Sequence, residues 1–148
     1  MGQRSIDREI HIDAAPEVVY EVVSKPEHVR AWWPDEADYE PAPGATGTIA
    51  FTNRPDGKFV PLTVIEADPP RRFVFRWAYA LDEVATVANS LLVTFDLVPA
   101  GAGTLLRFSE TGFDESATPD EVYHDHVTGW DYFLPRLTPY VDRLVSAP

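Results

Sequence analysis

Thr104-Leu105-Leu106-Arg107-Phe108-Ser109-Glu110-Thr111-Gly112-Phe113, and the amphipathic segment that follows it over residues 118–145, carry the reading from which the fold of this chain is drawn. In the first stretch Leu106, Phe108 and Glu110 alternate with Arg107 and Ser109, the period of two of a strand, so these three side chains share the inner face. In the second, a projection at about 100° per residue gathers Tyr123, His126, Val127, Trp130, Phe133, Leu134, Leu137, Val141 and Leu144 on one face. His124, Asp125, Asp131, Tyr132, Asp142 and Arg143 fall on the other. The pair reads as a strand followed by a helix laid over the sheet, with large aromatics between the two layers. Thr118-Pro119-Asp120-Glu121 has the form of a capping box with proline at the first helical position. Pro135 and Pro139 oppose an uninterrupted helix, because each removes a backbone hydrogen bond and clashes one turn back at a cost of about 3 kcal/mol. Both project to the solvent side. This predicts a helix curved around the sheet, with a break near residues 131–134 as the alternative.

Upstream, Ile6, Ile10 and Ile12 alternate with Asp7, Glu9 and His11, which predicts a half-buried first strand with His11 facing solvent. Pro16 then opens a helix carrying Val18, Val19, Val22 and Val23, and residues 27–33 form a second short helix ended by Pro34. Turn clusters at Pro41-Ala42-Pro43-Gly44, Pro55-Asp56-Gly57, Asp68-Pro69-Pro70 and Pro99-Ala100-Gly101 separate runs rich in β-branched and aromatic residues. These runs, 46–52, 58–66, 72–77, 89–98 and 104–111, predict connected antiparallel strands. Parity puts Phe73, Phe75 and Trp77, and likewise Leu91, Val93, Phe95 and Leu97, on the inner face, with Arg72, Arg76, Thr94 and Asp96 outward. Segment 79–87 is less regular and reads as a long connection or hairpin end. The order predicts an α+β domain with helices on one face of an antiparallel sheet.

Composition excludes several classes of function. The 148 residues are 45% hydrophobic and 12% aromatic, enough for one domain, residues 1–148, with a substantial core. The absence of cysteine removes thiol catalysis, zinc–thiolate sites and iron–sulfur clusters. A formal charge of -12 with scattered basic residues argues against a nucleic-acid partner. No run approaches the roughly 20 apolar residues of a membrane span, and the start of the chain has no signal-peptide pattern, so a cytoplasmic location without membrane insertion is expected.

The strand ending in Glu110 with Thr111-Gly112-Phe113, the later Gly129-Trp130, Phe133-Leu134 and Leu137, the opening Ala15-Pro16-Glu17-Val18-Val19, Trp33-Pro34, Asp56-Gly57 and Asp68-Pro69-Pro70 stand in a familiar order. Together they resemble the SRPBCC, or START-like, superfamily, and within it the homologues of the heat-shock-protein-90 ATPase activator. The likeness spans nearly the whole chain. It implies a helix-grip fold: a curved antiparallel sheet wrapped around a long C-terminal helix, two short helices after the first strand, and a largely apolar cavity between sheet and helix. Pro135 and Pro139 depart from a helix usually continuous in that superfamily, and Pro61 stands where glycine is common.

Glu110 and His126 are the candidate catalytic or anchoring groups: an inward carboxylate near a strand end and an inward imidazole one turn before Trp130. The residues themselves leave open whether Glu110 is a hydrated edge group and His126 a core histidine. Trp33, Phe51, Phe73, Phe75, Trp77, Phe95, Phe108, Trp130 and Phe133, with Glu110 and His126, are the candidate ligand-binding residues. Aromatics at strand and helix periods more often fill a core, and it is the resemblance that favours a cavity. His124 points away from His126, so the pair does not chelate, and neither a metal nor a cofactor is expected. No serine has the setting of a nucleophile elbow, and no glycine-rich loop cradles phosphate. Three functions follow: binding of a small apolar, aromatic or lipid-like molecule; a cyclase, dehydratase or hydrolase using Glu110 and His126 as acid and base; or a module acting on a chaperone ATPase. Oligomeric state is not readable.

Overall fold

A computed structural model describes residues 4–52 and 58–146. The turn expected at Pro55-Asp56-Gly57 lies outside these residues. The first strand, β1 (Ile6–Ile12), leads into α1 (Pro16–Ser24) and α2 (Pro26–Trp32). Six further strands follow: β2 (Glu36–Asp38), β3 (Thr46–Phe51), β4 (Lys58–Asp68), β5 (Arg72–Trp77), β6 (Leu91–Ala100) and β7 (Gly103–Thr111). The chain closes with α3 (Asp120–Phe133), a 3₁₀ turn (Leu134–Arg136) and α4 (Leu137–Ser146). One curved, unclosed antiparallel sheet runs in the order β1-β7-β6-β5-β4-β3-β2, and the closing helix lies against it. This is the α+β layout that the residues predict, in the helix-grip arrangement that the resemblance implies.

The inward half of the predicted parity holds at the centre of the sheet, while Thr94, placed on the outer face, is buried as well. Phe73, Phe75 and Trp77 of β5, Val93, Phe95 and Leu97 of β6, and Leu106, Phe108 and Glu110 of β7 are all buried. Each large apolar side chain removed from water contributes about 1.5–3 kcal/mol, so this face dominates the stability of the sheet. Helix α1 buries Val19, Tyr20, Val22 and Val23. Polar contacts fix how the helices enter the core: Trp32 Nε1 donates to the Val22 carbonyl at 3.0 Å, and the Tyr39 hydroxyl donates to the Ser24 carbonyl at 2.6 Å. Burial holds the Tyr39 phenol well above the ordinary tyrosine range. Gly47 is required by close approach, since a Cβ there would stand 2.2 Å from the Asp38 carbonyl oxygen on neighbouring β2.

The closing segment departs from expectation in two ways. Its capping box does not form: the helix begins at Asp120 with Pro119 as N-cap and no side-chain cap, and the Thr118 hydroxyl instead lies 2.8 Å from Ser116 Oγ. Asp120 and Glu121 in the first turn still complement the positive end of the helix. The interruption is a 3₁₀ turn at Leu134–Arg136, with Pro135 exposed on its outer side as its ring requires. Beyond it Leu137 and Val141 are buried, and His28 Nδ1 lies 2.6 Å from the Tyr140 hydroxyl, holding α4 against α2. Before it Trp130 is the buried residue of α3, while Tyr123, His126, Val127 and Phe133 are half-buried. Leu144, placed inward by the projection, is 38% exposed.

Candidate functional site

Glu110 sits on β7 opposite Ile6 of β1 and Val93 of β6, with its carboxylate fully buried. Three ring nitrogens converge on it. Trp77 Nε1, from the last residue of β5, donates to Oε2 at 2.7 Å; Trp130 Nε1 donates to Oε1 at 2.8 Å; and His126 Nδ1 lies 2.9 Å from the same Oε1. The spacing of four between His126 and Trp130 puts both on one face of α3, so a single helix face delivers two of the three partners. An indole nitrogen can only donate, and the two indoles therefore commit both carboxylate oxygens as acceptors. Burying such a charge is costly unless it is hydrogen-bonded, and here it is bonded on both oxygens.

Aromatic rings surround this centre. The Trp33 ring lies 4.9 Å from Trp130, 5.0 Å from Trp77, 5.8 Å from Phe75 and 6.1 Å from Phe51 by centroid. His126 packs 5.4 Å from Trp77 and edge-on to Phe113 at 5.8 Å. The loop that brings β7 to α3 is held by Arg4, whose Nε and backbone N–H donate to the Asp114 carboxylate at 2.7 and 3.0 Å and whose Nη2 donates to the Phe113 carbonyl at 3.0 Å. The Arg4 hydrogen bond holds the Asp114 carboxyl below the usual carboxylate range.

Above the buried centre lies an open cleft of about 920 Å³, between the half-buried face of α3 and the end of the sheet. Of the predicted ligand-binding residues, Trp33, Phe51, Trp77, His126, Trp130 and Phe133 border it. Phe73, Phe75, Phe95 and Phe108 do not; they pack in the core, and Glu110 lies beneath the cleft wall behind His126 and the indoles. The sequence reading omitted the loop residues Tyr79, Asn89 and Ser90, the 116–118 turn, and Arg136, all of which line the cleft. Their signal was weak: irregular segments with turn residues, next to strand ends, are where sites concentrate on a rigid scaffold. Two non-glycine residues with left-handed backbone, Ala78 (φ 67°) and Ala117 (φ 52°), also stand on this rim. Such conformations cost of order 1–3 kcal/mol and gather at functional sites. Arg136 caps one end, its guanidinium 5.7 Å from the Tyr132 ring centroid and 6.0 Å from that of Phe133.

Among the described residues no cluster of three or more histidine, aspartate or glutamate side chains is placed to hold a metal ion, and no helix is long and apolar enough to cross a membrane.

A helix-grip sheet with a cleft between sheet and closing helix defines a domain of the SRPBCC type. Residues 13–142 match the family described as Activator of Hsp90 ATPase homolog 1-like protein, and the chain belongs to that family. Among solved structures, protein MLL2253 from Mesorhizobium loti is 25% identical over 95% of this chain and 98% of its own, with a TM-score of 0.77. The Aha1 dimer from Colwellia psychrerythraea is 23% identical over 94% of this chain and 96% of its own, with a TM-score of 0.72. DynU16, from the dynemicin biosynthetic locus, is 23% identical over 95% of this chain but 48% of its own, with a TM-score of 0.75. At such identities the likeness is one of fold. No curated protein matches the chain significantly.

Proposed function

We propose that this chain binds a small apolar or aromatic molecule in the cleft beneath α3. The observation that carries the reading is an open cleft of about 920 Å³ between α3 and the end of the sheet, whose walls include three indoles and one imidazole. That size suits a small organic ligand, and burial of its apolar surface supplies about 25 cal/mol per Å². Gly129 offers a selective test. It lines the cleft, and a Cβ added there meets nothing within 4 Å. Gly129→Leu is expected to fill the space while leaving the fold intact, since replacing a mid-helix glycine contributes roughly 0.5–1 kcal/mol to stability. Trp33, Trp77 and Trp130 report directly, so 2-naphthol or anilinonaphthalene sulfonate should quench tryptophan emission of the wild type and not of Gly129→Leu. Equal response of both proteins, or no response of the wild type, removes the reading.

A second reading takes up the family's description, an effect on a chaperone ATPase. Leu81, Val84 and Val87, 64%, 82% and 57% exposed, lie on the loop between β5 and β6, and exposed apolar side chains gathered on one segment are a candidate interaction surface. On this reading purified wild-type protein raises the ATPase rate of Hsp90 and Leu81→Ser/Val84→Ser/Val87→Ser does not. No stimulation by the wild type dismisses it.

A further inference from the structure

Two cations stand at one end of the cleft. Lys58 opens β4 at an inward position, since Val60, Leu62 and Val64, at the same parity, are all buried. It pairs with Phe51 of β3, and residues directly opposite on antiparallel strands project to one face. The Phe51 ring in turn lies 6.3 Å from that of Phe133, over which the Arg136 guanidinium stands at 6.0 Å. Lys58 and Arg136 therefore flank the Phe51–Phe133 contact, one from the sheet and one from the closing segment, and both border the cleft.

Neither has an ion-pair or hydrogen-bond partner among the described residues. By contrast Arg4, Arg8, Lys25, Arg71, Arg72 and Arg107 all pair with carboxylates, as expected where 24 acidic residues face 12 basic ones. Arg30 and Arg143 also lack a partner, but they lie outside the cleft.

The other unpartnered groups of the cleft do not set the charge of a ligand. The Thr128 and Tyr132 hydroxyls and the His126 imidazole can each donate or accept, whereas an ammonium or a guanidinium only donates. Asp125 is an unpaired acid, yet it stands eleven positions before Arg136, about 16 Å along the helix. Asp35 borders the cation end and is already engaged, its N–H donating to the Ala50 carbonyl at 2.9 Å. That end holds two cations to one acid.

We propose that the cleft takes an amphipathic carboxylate, its apolar body on Trp33, Trp77 and Trp130 and its anionic group between Lys58 and Arg136. This rests on the binding reading above and adds the charge and the orientation of the ligand. The guanidinium offers the paired donors that match a carboxylate, and the ammonium adds a point charge. The chain as a whole carries -12 and repels anions, so a preference for an anion is local in origin.

Calorimetric titration with 2-naphthoate and 2-naphthamide tests this, because the two compounds share a shape and differ in charge. Wild-type protein should bind the naphthoate about fivefold more tightly at low ionic strength, the order expected for partly exposed charge contacts. The margin should narrow at about 0.5 M salt. Lys58→Gln/Arg136→Gln removes both charges at exposed positions while keeping most of the stems, and should lose the margin while binding the amide as before. Arg30→Gln/Arg143→Gln changes the net charge equally and should keep it. An amide bound as tightly as the acid by the wild type overturns the anion assignment and leaves the cleft reading standing. So does a margin that survives in Lys58→Gln/Arg136→Gln or vanishes in Arg30→Gln/Arg143→Gln. Binding of neither compound by the wild type, or undiminished binding by Gly129→Leu, overturns both.

Discussion

Glu110→Gln is expected to lower the free energy of unfolding by about 2–4 kcal/mol, and Glu110→Ala by more. An amide has one acceptor oxygen where the carboxylate has two. Trp77 donates to Oε2 and Trp130 to Oε1, so whichever way the amide turns, one indole N–H meets an NH₂ group and is left unsatisfied in the core. A buried donor without a partner costs about 1–3 kcal/mol, and the remaining bonds lose their charge-assisted strength. Urea denaturation followed by far-ultraviolet circular dichroism measures the loss, which corresponds to a fall in Tm on the order of 10 °C for a domain of this size. A change below about 0.5 kcal/mol, the scale of an ordinary surface substitution, would show that the carboxylate is not the structural hub described above. The prediction also constrains functional assays: activity lost in Glu110→Gln counts as chemistry only at temperatures where the variant is folded.

Trp33→Ala is expected to cost about 3–5 kcal/mol, the range of large aromatic truncations in cores. The indole is 6% exposed and joins both layers, touching Phe75 and Trp77 of the sheet and Trp130 of the closing helix. Its removal leaves a void continuous with the cleft, so Trp33→Ala should unfold at lower denaturant with an unchanged m-value and bind apolar dyes more promiscuously than the wild type. Trp33→Phe, which restores much of the volume, should recover most of the stability. A loss under about 1 kcal/mol for Trp33→Ala would place the indole outside the core.

Period-two alternation was enough to read β1, β5 and β7 and the inward turn of Glu110, because one buried face fixes strand register. The two short helices are legible from Pro16, the valine stripe and the stop at Pro34. Strand β2 is not legible because Glu36–Asp38 is too short to show a period; it pairs with Thr48–Ala50 of β3. The capping box does not form because Pro119, not Thr118, occupies the N-cap, and the Thr118 hydroxyl pairs with Ser116 instead. Of the candidate site, Glu110 and His126 could be named singly from their faces. Their meeting could not, nor could the convergence of Trp77, which lies 33 positions before Glu110 in the chain. Distances of that kind depend on the register of β5, β6 and β7 together with the depth at which α3 docks. The same dependence explains why Phe73, Phe75, Phe95 and Phe108 were grouped with the ligand-binding aromatics: parity separates inside from outside, and says nothing of distance along the sheet from the cleft.

The 3₁₀ turn at Leu134–Arg136 splits the closing segment into halves with different duties. The half after the turn is the anchor, tied through Leu137, Val141 and Tyr140 to the helices and the core. The half before it forms one jaw of the cleft and is fastened through Trp130 at the Glu110 hub, through Asp131 to Arg8 of β1, and through the Tyr123 hydroxyl to the Ser5 carbonyl. A continuous helix would transmit any change in the jaw to the anchor. With the turn between them, the exposed positions of α3 can change the shape and polarity of the cleft wall without disturbing the anchor, whereas Trp130 and His126 stay tied to the Glu110 hub and to the stability of the whole domain.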